Sequence, residues 1–153
     1  MENADILITE AQLSDIKFIL EIEQLCFDSD RFSKRQFNYL IKKAKGVFYI
    51  VRQNGNVVAY ASLIHNSLAH YVRIYSIAVH PESRGKNIAR ILIQKTIEFA
   101  QKNMLSAIRL EVKTNNEQAI RLYEKCGFEK TGTISAYYQD GSDAFVMKLP
   151  VNV

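Results

Sequence analysis

Apolar and polar positions along the chain follow two periods. Ile16, Ile19 and Leu20 recur at helical spacing, with Glu23 on the same stripe, which predicts a helix from about Ser14 to Cys26. Phe37, Leu40, Ile41 and Ala44 repeat the pattern behind Ser33 and Gln36, whose three-residue spacing is that of a capping box, and Gly46 is expected to stop this second helix. Strand-forming runs surround them. Ile6-Leu7-Ile8 reads as a short strand, and Val47 to Arg52 and Val57 to Ile64 flank Gln53-Asn54-Gly55-Asn56, where Asn-Gly signals a tight hairpin. After a loop from about His65 to Tyr71 comes an apolar strand, Ile74 to Val79. A long helix carries Ile88, Ala89, Ile91, Leu92, Thr96, Phe99 and Ala100. Ala107 to Val112 reads as a strand, Glu117 to Cys126 as a helix capped by Gly127, and Phe128 to Thr133 and Ala144 to Leu149 as the last two strands. A strand-helix-strand unit through the centre implies a parallel pair, so the fold class expected is α/β, a mixed sheet flanked by helices, with a ligand crevice at the carboxyl ends of the parallel strands.

The junction Val79-His80-Pro81-Glu82-Ser83-Arg84-Gly85-Lys86-Asn87-Ile88-Ala89-Arg90 joins that apolar strand to the long helix through a basic loop bearing a glycine. The first turn of a helix presents N–H groups with no intrahelical acceptor, at the positive end of the helix dipole. Arg84, Lys86 and Arg90 add formal charge, and Gly85 permits close backbone approach, so the loop reads as a cradle for a phosphorylated cofactor. A Walker loop needs Gly-Lys-Ser/Thr and a dinucleotide fingerprint needs three glycines in six residues; neither pattern is present.

A second segment, Leu110-Glu111-Val112 through Gly127-Phe128, carries an acid on a predicted central strand. Leu110 and Val112 face one side of that strand and Glu111 the other. Where both faces of a sheet are covered, such a carboxylate needs a partner or a chemical task. Tyr123 sits on an apolar helical face, where core packing with a satisfied hydroxyl is the plainer alternative, and Asn116 stands where a helix cap belongs.

Together these segments resemble the GNAT acyltransferases. Arg84-x-x-Asn87-x-Ala89 is similar to the family's Arg/Gln-x-x-Gly-x-Gly/Ala loop, with Asn87 in place of the central glycine; asparagine tolerates unusual backbone angles better than most residues. The Glu111, Asn116, Ala119, Leu122-Tyr123 and Gly127-Phe128 series resembles the RimI-type N-terminal acetyltransferases. The resemblance implies a GNAT acyl-CoA N-acyltransferase fold over one domain, residues 1–153, with acetyl-CoA as acyl donor. It implies that Ile77, Ala78, Val79 and the loop Arg84, Gly85, Lys86, Asn87, Ile88, Ala89 and Arg90 hold the cofactor with Asn116. It further implies that Glu111 is the general base through a water, and that Tyr123 gives a proton to the departing thiolate. Backbone N–H groups around Ile77 and Ala78 are expected to hold the thioester oxygen. In similar enzymes Phe27 and Phe32, Tyr75, and Tyr137 with Tyr138 flank a peptide slot. For Phe27 and Phe32 ordinary core packing is an equal alternative. Tyr137 and Tyr138 are neighbours, and if they lie in a strand only one can face the core.

Composition changes this picture little. The chain has 153 residues, 48% apolar and 24% charged, enough for one domain with a substantial core. No run suggests a membrane span or a leader, and Cys26 and Cys126 lack metal-ligand spacing, so a reducing cytoplasm and no metal are expected. The net charge of +4 suits a polyanionic cofactor, a ribosome-associated substrate or a nucleic acid; without an RNA-binding motif the last ranks lowest. His65, His70 and His80, two of them assigned to a loop, form no triad, and neither cysteine has a base partner. The expected substrate is a protein or peptide N-terminal α-amine, that of a ribosomal protein included, acetylated by a monomer or weak dimer. An ordinary α-amine, with a pKa of about 7.7–8, keeps a sizeable neutral fraction near pH 7, whereas a lysine amine at about 10.4 demands more of the base. A lysine side chain or small-molecule amine is the alternative, and a non-catalytic acyl-CoA-binding module ranks below both.

Overall fold

A computed structural model describes residues 5–66 and 68–152; the polar N-terminal tip and residue 67 of the predicted loop lie outside the described residues. The strands are β1 (Ile6–Glu10), β2 (Gly46–Gln53), β3 (Asn56–Asn66), β4 (Tyr71–Val79), β5 (Ala107–Lys113), β6 (Glu129–Ile134) and β7 (Ala144–Pro150), and the helices α1 (Ile16–Cys26), α2 (Lys34–Lys42), α3 (Ile88–Lys102) and α4 (Glu117–Lys125). They form one seven-stranded sheet in the order β1-β2-β3-β4-β5-β7-β6. Every neighbouring pair is antiparallel except β4 and β5, which α3 connects.

Local chemistry sets most boundaries. Asn54 and Gly55 have φ of 53° and 85°, the two positive values a two-residue I′ hairpin turn requires. The Ser33 hydroxyl accepts from the Gln36 amide at 3.2 Å while the Gln36 side chain accepts from the Ser33 amide at 2.7 Å, so α2 opens with the capping box. At the end of α4 the Phe128 amide donates to the Tyr123 carbonyl and the Gly127 amide to that of Glu124, a Schellman closure with Gly127 at φ 104°. This fixes the turn that carries Tyr123.

Both faces of the sheet are covered because successive strand residues point opposite ways. Ile50 and Tyr60 pack under Ile19, Ile22, Phe37 and Leu40 of α1 and α2. Val51, Ala59 and Ala61 turn to the other face, where Leu92 and Ile93 of α3 and Ile120 and Tyr123 of α4 lie. Two irregularities shape the centre. Leu63 pairs with Ile74 and Ser62 with Ser76, so Tyr75 is an extra residue bulged out of β4. The β4–β5 ladder holds only at Tyr71, Val72 and Arg73 against Ala107, Ile108 and Arg109; beyond them the strands part.

Three expectations shift. The strand expected at Ile74 begins at Tyr71, and β3 extends through His65, so His65 is a strand residue rather than a loop one. Tyr137 and Tyr138 lie in the loop between β6 and β7, and the two rings meet edge to face at 5.0 Å, so strand alternation does not govern them. Gly46 begins β2, three residues past the Lys43 cap of α2. Its φ is 146°, and a Cβ there would lie 1.9 Å from the Leu63 carbonyl oxygen, so close strand packing requires the glycine. Gly46→Ala is therefore expected to cost about 3 kcal/mol or more of folding stability, against about 0.5 kcal/mol or less for Gly132→Ala, where a Cβ meets nothing. Urea unfolding midpoints of the two variants measure the difference, and equal midpoints would remove the steric account.

Candidate active site

The parting of β4 from β5 exposes one edge of β4. The His80 amide donates to the Val58 carbonyl at 2.7 Å, so by strand alternation the amides of Ile77 and Val79 point away from β3, into the gap, while that of Ala78 points to β3. Of the two residues expected to hold the thioester oxygen, Ile77 keeps that geometry and Ala78 does not. The loop after β4 then runs through a 3-10 turn at Pro81–Ser83, Gly85 at φ 82° and Asn87 at φ 62°, ψ 18°, and α3 begins at Ile88. The left-handed conformation that a glycine would supply is thus adopted by Asn87. Successive turns of this kind, followed by the free amides of a first helical turn, make an anion-binding concavity. Ile88 is buried beneath it, Ala89 half-buried, and Lys86 and Arg90 are exposed.

Arg84 does something else. Its Nε donates to the Val79 carbonyl at 3.2 Å and its Nη2 to Cys26 Sγ at 3.3 Å, tying the loop to the end of α1 rather than reaching over the α3 terminus. Cys26 in turn donates to the same carbonyl at 3.3 Å, and burial pushes its thiol pKa up. Asn116 caps α4, accepting from the Ala119 amide at 3.2 Å.

Glu111 lies on β5 just past the point of parting, its side chain 6% exposed. Arg73 Nε donates to Oε1 at 2.8 Å and Arg109 Nε to Oε2 at 3.0 Å, so both oxygens are engaged by guanidiniums from the last rung of the ladder. Arg73 also donates to the Tyr137 hydroxyl at 2.8 Å and lies over the Tyr75 ring at 5.0 Å. Tyr123 is buried against Phe128, its ring 5.7 Å away, and burial with the nearby Cys126 pushes its hydroxyl up to about 12. It stays protonated at neutral pH, available as a hydrogen-bond donor.

The other wall is aromatic. Phe32 stacks on Tyr75 at 5.2 Å and meets Phe37 edge-on at 5.6 Å. Phe27, half-buried at the end of α1, packs against the α1–α2 core cluster, as Phe32 and Tyr75 also do. Tyr138 is half-buried with Lys113 Nζ 5.2 Å from its ring, and burial raises its hydroxyl pKa. The segment between α1 and α2 is joined to the β6–β7 loop: Asp30 accepts from the Gln139 amide at 3.1 Å, and Lys113 bridges Ser29 and Asp140 at 3.4 and 3.1 Å. The structure therefore links Tyr75, Phe32, Tyr137, Tyr138 and Glu111 through Arg73, the stacked rings and the joined loops, while Phe27 makes none of these contacts.

Arg73, Arg109, Lys113 and Glu23 were not anticipated. Glu23 is 2% exposed; it accepts from the Phe32 amide at 2.9 Å and from the Tyr60 hydroxyl, which also contacts Ser76 Oγ at 2.9 Å. An interior polar chain thus connects Phe32 to the residue beside the Tyr75 bulge, behind the stacked rings. The signal was present as an acid on the Ile16, Ile19 stripe.

The sequence pattern described as the Acetyltransferase (GNAT) family matches residues 16–128. An N-alpha-acetyltransferase of Saccharolobus solfataricus is 32% identical over 159 residues, covering 96% of this chain and 94% of that protein. An uncharacterized protein of Mycobacterium leprae is 31% identical over 152 residues, and there the match spans 96% of this chain but 41% of the relative's length. The crystal structure of the ribosomal-protein-S18-alanine N-acetyltransferase from Escherichia coli superposes with a TM-score of 0.84 at 27% identity, covering 97% of this chain and 95% of that one.

Burial, opposed by the Tyr60 and Phe32 hydrogen bonds and by Arg31, holds the Glu23 carboxyl pKa above its usual range. The folded state therefore binds this proton more tightly than the unfolded chain. The resulting stabilisation is complete below about pH 4.3 and is lost as pH rises through the folded value. Glu23→Gln cannot titrate there, so the stability of the native protein relative to the variant should fall as pH is raised from about 4 to neutrality. Urea midpoints across that range test it; a gap independent of pH would mean that Glu23 does not titrate as described.

Proposed function

Because the chain belongs to the GNAT acetyltransferase family, we propose that it transfers the acetyl group of acetyl-CoA to the N-terminal α-amine of a protein or peptide. The relatives named for α-amine and ribosomal-protein alanine acetylation support this reading. The observation that carries it is the state of the carboxylates around the slot. Glu111 is held by Arg73 and Arg109, Asp140 by Lys113, and Asp30 accepts from a backbone amide. A polyamine needs free carboxylates for its further ammonium groups and finds those of the slot engaged, whereas a peptide N-terminus presents one amine followed by neutral backbone.

The left-handed Asn87, the positive φ of Gly85 and the free amides at the start of α3 suit a diphosphate, and the gap between β4 and β5 suits an extended arm beside a strand edge. Acetyl-CoA supplies an activated acyl thioester. The chain supplies the rest. The Ile77 amide, with that of Val79, faces the gap, where the two would stabilise the charge that develops on a thioester oxygen. Glu111 takes the amine proton through a water, beside the Tyr137 hydroxyl. The demand on it is small, because an α-amine is already partly neutral near pH 7. Tyr123, at about 12, is a weaker acid than a thiol at about 8.5, so it would ease departure as a hydrogen-bond donor to the forming thiolate rather than by giving up its proton. Lys86 and Arg90 contribute charge at the cradle, and Asn116, which caps α4, is assigned to the cofactor by the family resemblance alone. No helix among the described residues is long and apolar enough to cross a membrane, and the cytoplasm is the compartment this reading assigns.

Coenzyme A release is the measurement, with acetyl-CoA against free-N-terminus peptides, N-blocked lysine peptides and polyamines. Turnover is expected with the free N-termini alone; activity confined to blocked peptides or polyamines would transfer the function to a side-chain or small-molecule amine. Glu111→Gln is expected to lower kcat by about 100-fold or more while acetyl-CoA affinity changes little, as befits an acid–base residue. An unchanged rate would take Glu111 out of the chemistry.

A further inference from the structure

The net charge of the protein is not spread over its surface. Lys34, Arg35, Lys42, Lys43 and Lys45 lie within twelve residues that contain no acid. Without them the chain has fifteen cations against sixteen carboxylates, so the whole positive balance of +4 resides in α2 and the turn after it. All five side chains are exposed, and none forms an ion pair with the described residues. Phe37 and Leu40 spend the apolar side of α2 on the core, and the opposite side presents Arg35, Tyr39, Lys42 and Lys43 at one-turn spacing. Tyr39 is 57% exposed among these cations.

We propose that this face of α2 is a docking surface for single-stranded RNA. Phosphates answer a row of unpaired lysines and arginines, and an exposed tyrosine between them offers a stacking platform for an unpaired base. An anionic membrane fits less well, because a helix that lies on a bilayer must insert its apolar face, and that of α2 is already buried. The surface also has a functional position. α2 starts directly after Phe32, so an RNA held there lies beside the acceptor slot and brings proteins carried on that RNA near it. The surface stands apart from the acetyl-transfer chemistry, and its test does not depend on the substrate assigned above.

Fluorescence anisotropy of a labelled single-stranded RNA 20-mer with the full chain measures the binding. About five phosphate contacts give a slope near −3.5 in log K against log salt, a loss of roughly 100-fold between about 50 and 200 mM. Reversing Lys42, Lys43 and Lys45 to Glu should abolish most of the affinity at low salt, and Tyr39→Ser should weaken it about 5-fold or more without changing the slope. Both variants should retain acetyl-CoA binding. The control reverses Lys102, Lys125 and Lys130, exposed cations elsewhere, and should leave RNA affinity within about 3-fold. Equal losses in the control, absence of binding at low salt, or tighter capture of anionic vesicles or polyglutamate than of RNA would each overturn the proposal.

Discussion

The separation of β4 from β5 after a ladder of only three residue pairs is the constraint from which the rest of the site follows. A parallel pair that continued in register would satisfy both strand edges and leave no crevice. Here the ladder stops at Arg73 and Arg109, and the edge of β4 beyond it carries amides that no strand completes. An open strand edge leaves its donors free to meet another chain or a ligand, so this opening is where a binding site can form. The bulge at Tyr75 strengthens the local twist at the same place and turns one aromatic side chain toward the opening.

Charge organises the bottom of that crevice. The two residues of the last rung are both arginines, and side by side they would repel without a counter-ion. Glu111, two residues along β5, lies between them and accepts from both. The same clamp orients Arg73 against Tyr75 and Tyr137, so the carboxylate proposed as the base also helps to position two neighbouring aromatic rings. Glu23 performs a matching task from the other side. It is costly to bury, and its hydrogen bonds to Phe32 and Tyr60 hold the α1–α2 segment against the centre of the sheet.

Much of the fold was legible in the sequence because the signals were local. The Asn54-Gly55 turn, the Ser33 box and the Gly127 closure each depend on a few adjacent residues, and each stands where periodicity put it. Gly46 was located correctly and explained wrongly, since its need arises from Leu63, a residue seventeen positions away on a neighbouring strand. Arg84 is engaged elsewhere in this structure for a related reason. Its charge and its place in the loop pointed to phosphate, but an unpaired strand-end carbonyl and a thiol on α1 compete for it. The arginine clamp depends on strand register, which no single segment encodes.

This difference separates the two halves of the site. The half proposed to take the acyl donor is made of backbone: amides of β4, left-handed turns at Gly85 and Asn87, and the first turn of α3. Backbone geometry is selected by a few residue types, and a short motif suffices to announce it, even with asparagine in place of glycine. The acceptor half is made of side chains that meet from α1, β4, β5 and the β6–β7 loop. Its shape depends on pairings between distant segments, and any one of them can change without disturbing the cradle. A short backbone motif can thus mark the proposed donor site in the sequence, whereas the acceptor has to be argued from side-chain pairings such as those of Glu111 and Lys113.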